Sequence, residues 1–189
     1  METSVRFFGV FLWLCLASGW ARVEAQDVTY VVDKEASTIR YAGSHFLHDW
    51  EGVSQNVQGQ LIVGEGGMPL RATARVAVAD FDSGNSSRDS NMMSVMQIER
   101  YPDVVLDIPE IAPTADASRW AFSARLTMHG QTHPLLIPVT MVSEGDAWRV
   151  SASFDVSLSR HGVDRPALFA VKIDDEIAIT VNLLLRAMP

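Results

Sequence analysis

Apolar and polar residues alternate along most of this chain, which predicts a protein built from β-strands. In residues 120–128, Trp120, Phe122 and Leu126 share one face, while Ser123 and Arg125 share the other. Comparable alternation occurs in eight other segments: 28–32, 37–45, 50–63, 70–80, 104–111, 134–142, 148–158 and 176–186. The pattern therefore predicts an all-β fold of eight or nine strands.

Short turns separate these segments, for example at 64–67, 113–116 and 144–146, where Gly, Pro, Asp and Glu accumulate. Strands joined by turns of hairpin length predict an antiparallel meander. Since one face of each strand is apolar, the sheet must either pack on a second sheet or close on itself. Alternation does not distinguish these two architectures, but a closed barrel of about eight strands has room inside for side chains or one small ligand.

One connection is much longer than the others and contains a methionine-rich helical patch. Residues 83–102 begin with polar turn residues, and Met92, Met93 and Met96 then lie on one helical face. A long connection in a meander of short ones is commonly functional, so we expect it to cap the end of the fold. Methionine is suited to core packing and equally to a pocket wall that adapts to a flexible ligand. For Arg88-Asp89, at the start of the patch, we favour helix capping and loop anchoring over contact with a ligand head group.

The amino terminus has the features of a secretion signal. Residues 7–17 form an apolar run about half as long as a membrane-spanning helix, and Val23-Glu24-Ala25 resembles a cleavage site. We therefore predict a signal peptide at 1–25, a mature domain at 26–189, and a periplasmic or secreted location. A buried amino-terminal helix is the alternative. The chain's one cysteine, Cys15, lies inside the apolar run, so the mature chain would contain no disulfide and no thiol.

Composition argues against several classes of function. The chain has 23 acidic and 15 basic residues, a net charge of −8 and no run of Lys and Arg, which makes nucleic acid a poor partner. No Gly-x-Ser-x-Gly motif accompanies the Ser, His and Asp of segment 159–166, and we predict no enzyme activity.

Five histidines, His45, His48, His129, His133 and His161, raise the question of a metal site. Residues three apart on a strand point to opposite faces, which separates His45 from His48. We therefore expect no metal, a buried and hydrogen-bonded His45, and surface positions for the other four.

Four segments together resemble the YceI-like family of secreted, lipocalin-like proteins that bind polyisoprenoids. They are the opening 32–41 with its strand ending at His45, Ser83-Gly84-Asn85 with Arg88-Asp89 and Tyr101-Pro102, the hairpin 126–132 (Leu-Thr-Met-His-Gly-Gln-Thr), and the closing strand 175–185. The resemblance covers essentially all of the mature chain. It departs from the family at 90–92 (Ser-Asn-Met), where His-Leu often follows Arg-Asp, and at 95–98, where Asp-Phe-Phe often precedes Tyr-Pro.

The resemblance implies an antiparallel lipocalin-like β-barrel with one short α-helical connection, holding a polyprenyl lipid or a quinone-type tail. It implies no catalysis and no cofactor other than this bound lipid, and it leaves a transient membrane contact open. Combined with the alternation, it predicts a ligand-binding wall of twelve residues: Ile39, Tyr41, Val76, Val78, Arg88, Met92, Met96, Leu106, Phe122, Leu126, Ile137 and Phe154. The alternatives are a structural or interaction module whose barrel is filled by its own side chains, and a metal-dependent or hydrolytic enzyme.

Overall fold

The computed structural model describes residues 27–188, except residues 113, 115 and 117 and the side chain of residue 168. Within that range the strands are β1 (Val28–Val32), β2 (Thr38–His45), β3 (His48–Ser54), β4 (Gln58–Val63), β5 (Pro69–Ala77), β6 (Asp103–Ile108), β7 (Arg119–Met128), β8 (Gln131–Glu144), β9 (Ala147–Ser157), β10 (Ala167–Leu168), β11 (Val171–Lys172) and β12 (Glu176–Ala187). The helix α1 (Ser86–Val95) lies between β5 and β6. The predicted signal peptide lies outside the described residues.

Eight strands close into an antiparallel barrel, which confirms the predicted fold class. β1 pairs with β4, each strand from β4 to β8 pairs with the next one, and β9 pairs with β12. β12 completes the ring by pairing with β1, with Val32 opposite Leu185. The first half of β12 pairs instead with β2, so the β2–β3 hairpin continues the wall beyond β1 and β4.

Successive connections lie alternately at the two ends of the barrel, because the strands are antiparallel. One end, called here the helix end, carries the β2–β3 turn, α1, the β7–β8 turn and the segment 158–175 between β9 and β12. The opposite end, the far end, carries the β4–β5, β6–β7 and β8–β9 connections. In the described residues, no helix combines the length and the apolar character needed to cross a bilayer.

The predicted strand 50–63 is wrong as a continuous element. β3 ends at Ser54 and β4 begins at Gln58. Ser54 and Val57 are both almost fully buried, and residues three apart cannot both face inward on a regular strand. The chain therefore bends at 55–57, where the Asn56 side chain accepts from Lys34 Nζ at 2.6 Å and donates to Asp80 at 2.7 Å.

Buried side chains form two clusters. The larger one includes Trp120, Trp148, Val63 and Ile111 and fills the far end of the barrel. The second lies beneath α1 at the helix end and comprises Val78, Met96, Leu126, Met128, Val156 and Val163. Inward-facing side chains, including members of both clusters, surround a cavity.

Candidate functional site: an apolar cavity in the barrel

The cavity has a volume of ≈ 500 Å³ and a wall made almost entirely of apolar side chains. All twelve residues that the sequence predicts for the binding site lie in this wall: Ile39, Tyr41, Val76, Val78, Arg88, Met92, Met96, Leu106, Phe122, Leu126, Ile137 and Phe154. Their contact with a ligand stays a prediction.

Cross-strand pairing places several of these residues side by side. Leu106 of β6 lies opposite Leu126 of β7, and Phe122 of β7 lies opposite Ile137 of β8. Paired residues in an antiparallel sheet point to the same face, so each pair contributes a continuous apolar patch to the wall. Other inward residues of the wall are outside the predicted twelve, among them Val139 on β8, Val150 and Ala152 on β9, and Ile179 and Val181 on β12. All five are on the apolar faces that the alternation predicts, so counting every residue of those faces as wall would have included them.

Sequence reasoning also missed a group of wall residues near the helix end. His45, His48 and Trp50 come from the β2–β3 hairpin, and Val163, Pro166, Ala167 and Ile173 come from segment 158–175. The second set lies in a segment of turns and two-residue strands that has no periodic pattern. It reaches the cavity only because the segment folds over the end of the barrel.

Two glycines allow aromatic side chains to lie flat across the β2–β3 hairpin. Gly52 is opposite Tyr41 in the register and Gly43 is opposite Trp50. A Cβ atom at Gly52 would lie 2.4 Å from the Tyr41 ring, and one at Gly43 would lie 2.6 Å from Trp50. Any larger residue at either position would displace an aromatic side chain of the wall.

Tyr41 is the aromatic wall residue with an altered acidity. Burial raises the pKa of its hydroxyl, the negative charge of Asp89 raises it further, and the positive charge of Arg88 opposes this in part. Its ring also packs edge-on against Phe81, with centroids 5.4 Å apart. A tyrosine hydroxyl is already protonated at neutral pH, and the raised pKa extends this to more alkaline solutions, so the hydroxyl can donate a hydrogen bond.

The start of α1 is fixed by polar contacts that place Arg88 in the wall. The N-cap is Asn85, whose side-chain oxygen accepts from the backbone N–H groups of Ser87 and Arg88, both at 3.1 Å. Asp89 accepts from the Ser83 backbone at 3.3 Å, which confirms the predicted loop anchor, although Asp89 is not the cap itself. The half-buried Arg88 side chain has no ion pair or hydrogen-bond partner among the described residues.

The three methionines of the helical patch have different surroundings. Met92 and Met96 lie in the cavity wall, whereas Met93 does not. Met96 is only 7% exposed and also belongs to the buried cluster beneath α1. Core packing and pocket lining, the two roles left open by the sequence, are therefore combined in Met96.

The predicted burial of the histidines is confirmed for His45 and wrong for His161. His45 is buried, and its Nε2 donates to the Val171 carbonyl at 3.1 Å, which confirms the expectation for this residue. A surface position is wrong for His161, which is 4% exposed and packs edge-on against His133 with ring centroids 4.9 Å apart. Segment 158–175 brings His161 against the start of β8. Across the described residues, no three His, Cys, Asp or Glu side chains are grouped so that they could hold a metal ion.

Asp175 anchors the beginning of segment 158–175. It accepts from the Ser157 hydroxyl at 2.6 Å and from the Ser159 hydroxyl and backbone N–H, both at 2.9 Å. The bond from Ser157 contributes most to a lowered pKa of Asp175. His161 Nδ1 donates to the Ser157 carbonyl, so in these contacts the Ser159 hydroxyl is paired with Asp175 and not with His161. The polar residues of this segment are thus arranged as a loop anchor and not as a Ser-His-Asp triad.

The fold and the cavity define a lipocalin-like closed β-barrel with an apolar interior. A family model described as the YceI-like domain matches residues 30–185. The chain therefore belongs to the YceI-like family. No curated protein sequence is similar enough to the chain to count as a match.

Solved structures with this fold are distant in sequence. BcnA of Burkholderia cenocepacia is 20% identical with a TM-score of 0.72, over 81% of this chain and 98% of that one. A polyisoprenoid binding domain from Saccharophagus degradans, implicated in plant cell wall breakdown, is 14% identical with a TM-score of 0.67, over 84% and 98% of the two chains. A Campylobacter jejuni YCEI protein is 11% identical with a TM-score of 0.62, over 73% and 84%. At these identities the likeness establishes the fold alone.

Proposed function

We propose that this protein binds one long isoprenoid amphiphile, a polyprenyl lipid or a molecule with a quinone-type tail, in the barrel cavity. It sequesters or carries that molecule without covalent chemistry and needs no other cofactor. The observation that carries this proposal is the apolar cavity of ≈ 500 Å³, which is within the usual range for small-molecule sites. The polyisoprenoid binding domain among the structural relatives supports the choice of ligand class.

The energetics favour a long apolar chain over a compact polar ligand. Burial contributes about 0.8 kcal/mol per CH₂ group, so one five-carbon unit gains roughly 4 kcal/mol before the costs of ordering are subtracted. Three such units fully inside the wall would gain about 12 kcal/mol, and each further buried unit adds roughly 4 kcal/mol against a cost of association that is paid only once. A polar ligand would lose its hydration against a wall with few hydrogen-bonding groups.

A polar head group would lie near Arg88. Arg88 is a residue of the wall, and its guanidinium has no ion pair or hydrogen-bond partner among the described residues, so a phosphate or ring oxygen of the ligand would supply the missing acceptor. Tyr41 is in the same wall, and its hydroxyl, which is protonated at neutral pH, is a second donor. The chain of the ligand would then contact Met92 and Met96, whose flexible side chains adapt to it.

The proposed place of action is the periplasm or the exterior of the cell. Its basis is the signal-like sequence of residues 1–25, which precedes the mature domain at 26–189. In that compartment an isoprenoid lipid resides in a membrane, so loading and release would require a transient membrane contact.

Solvent extraction of the purified protein followed by mass spectrometry tests the proposal. We expect close to one isoprenoid molecule per barrel. An extract without lipid would favour a barrel that serves as a structural or interaction module. An extract dominated by ordinary diacyl phospholipids would contradict the isoprenoid class.

A further inference from the structure

Two neighbouring hairpins at the helix end expose apolar side chains at their tips. The β2–β3 turn presents Phe46 and Leu47, which are 64% and 52% exposed. The β10–β11 hairpin presents Phe169 and Val171, which are 79% and 45% exposed. We call these four residues the apolar rim.

Hydrogen bonds hold the two hairpins together, although they are far apart in the chain. His45 Nε2 donates to the Val171 carbonyl at 3.1 Å, across a separation of 126 residues. The Asp174 backbone N–H donates to the Ser44 carbonyl at 2.9 Å. The four apolar side chains are therefore carried by one connected surface of the barrel.

This surface borders the cavity. His45 and His48 flank the tip residues of β2–β3, and both lie in the cavity wall. Pro166 and Ala167, which lead into the β10–β11 hairpin, and Ile173, which follows it, lie there too. A ligand that enters or leaves at the helix end would pass the apolar rim.

The β10–β11 turn places an exposed aromatic residue in a left-handed backbone conformation. Phe169 and Ala170 have φ angles of 52° and 65°, as a two-residue hairpin turn of this kind requires. Asn-Gly is favoured at such positions, and an aromatic residue there is strained. Phe169 gains no packing in return, because four-fifths of it is exposed. Neither turn geometry nor burial explains an aromatic residue at this position.

We propose that the apolar rim inserts into the surface of an electrically neutral lipid bilayer, from which the barrel takes its ligand or to which it delivers it. This inference rests on the proposed function. A bilayer accepts separate convex tips because its lipids move around them, whereas a typical protein partner requires roughly 800 Å² of matched surface on each side. Four side chains on two turns fall well short of such an interface.

The charges beside the rim argue for a neutral membrane surface. Next to the β2–β3 hairpin, a shallow concavity on the outside of the barrel is lined by five acidic residues: Asp49, Asp155, Asp174, Asp175 and Glu176. Arg165 forms an ion pair with Asp175, with Nε and Oδ1 3.6 Å apart, and Lys172 lies on β11, so the five acidic residues outnumber these two cations. An anionic bilayer would be repelled by this concavity at low salt.

Vesicle flotation at low ionic strength tests the proposal. Wild-type protein should float with phosphatidylcholine vesicles, and less of it should float when phosphatidylglycerol is included. The double variant Leu47→Ser/Phe169→Asn should lower binding to phosphatidylcholine about tenfold or more, because two inserted side chains are lost. Asn is favoured at a left-handed turn position, so Phe169→Asn should keep or raise the melting temperature.

The matched control is Leu136→Ser/Val142→Ser. These two side chains are 65% and 45% exposed on β8, away from the rim, and their loss should leave flotation unchanged. The proposal is overturned if wild-type protein fails to float, if the rim variant floats as wild type does, or if phosphatidylglycerol strengthens binding. Concentration-dependent dimers that the rim variant abolishes would assign the rim to a second copy and also overturn it.

The vesicle test of the apolar rim and the extraction test of the proposed function can fail independently. Protein that carries an isoprenoid but does not float with vesicles would refute the rim and leave the function standing. Protein that floats through its rim but yields no isoprenoid on extraction would refute the function alone.

Discussion

Replacing Ala152 by phenylalanine tests whether the ligand occupies the middle of the barrel. Ala152 on β9 lies opposite Val139 of β8 and Val181 of β12, and all three residues are in the cavity wall. An apolar cavity of about 150 Å³ holds one benzene ring. The new phenyl group would therefore take roughly a third of the ≈ 500 Å³ available.

Ala152→Phe should stabilise the lipid-free protein and weaken the binding of the ligand. The buried phenyl group should raise the free energy of unfolding of the lipid-free protein by up to about 2 kcal/mol, because it fills space and does not compress its neighbours. It should also displace about one five-carbon unit of the ligand, worth roughly 4 kcal/mol, which corresponds to close to a thousandfold weaker binding.

Two measurements on Ala152→Phe are needed: the lipid content by extraction and mass spectrometry, and the free energy of unfolding by urea titration of delipidated protein. Ala121→Phe is the matched control, because Ala121 is exposed on the outer face of β7. Unchanged lipid content in Ala152→Phe would show that the ligand is not in the lumen. A loss of stability of more than about 3 kcal/mol would mean that the barrel has no free space there, as a self-filled barrel requires.

Four further predictions concern the helix, the loop anchor, the amino terminus and metal. Met92→Asp/Met96→Asp should lose the lipid although the barrel still folds, whereas the exposed control Met68→Asp should keep its lipid. Wild-type lipid content in the double variant would refute contact between these methionines and the ligand, and Met92→Asp alone serves if burial of Met96 prevents folding. Because the pKa of Asp175 is lowered from 3.8, the contribution of this carboxylate to stability is present above that value and is lost as the pH falls through the lowered pKa. Asp175→Asn should therefore flatten the acid side of a plot of melting temperature against pH. An unchanged plot would argue against the loop anchor. Amino-terminal sequencing of exported protein should begin near Gln26; soluble cytoplasmic protein that retains its first residue would contradict export. Zinc or copper should not survive dialysis against a mild chelator at one ion per chain, and metal retained at that level would contradict the expectation.

The residues facing the cavity could be predicted from the sequence because a strand alternates its side chains with a strict period of two. Once Phe122 and Leu126 are assigned to the apolar face of β7, every other residue of that strand is placed as well. The same reasoning placed Phe154 on β9 and Ile137 on β8 in the wall. The residues themselves predicted the helical connection and its methionines, and the family resemblance favoured the pocket over the core for them.

Contacts between distant parts of the chain decided the rest. The barrel closes because β12 pairs with both β1 and β2, and no local pattern specifies that one strand has two partners on the same side. The bend at 55–57, the burial of His161 and the meeting of the two rim hairpins likewise depend on what lies across the fold. Alternation determines which face of a strand is buried, since that is a property of the strand itself. Which segments meet at the end of the barrel depends on how all eight strands close, and only the tertiary structure determines that.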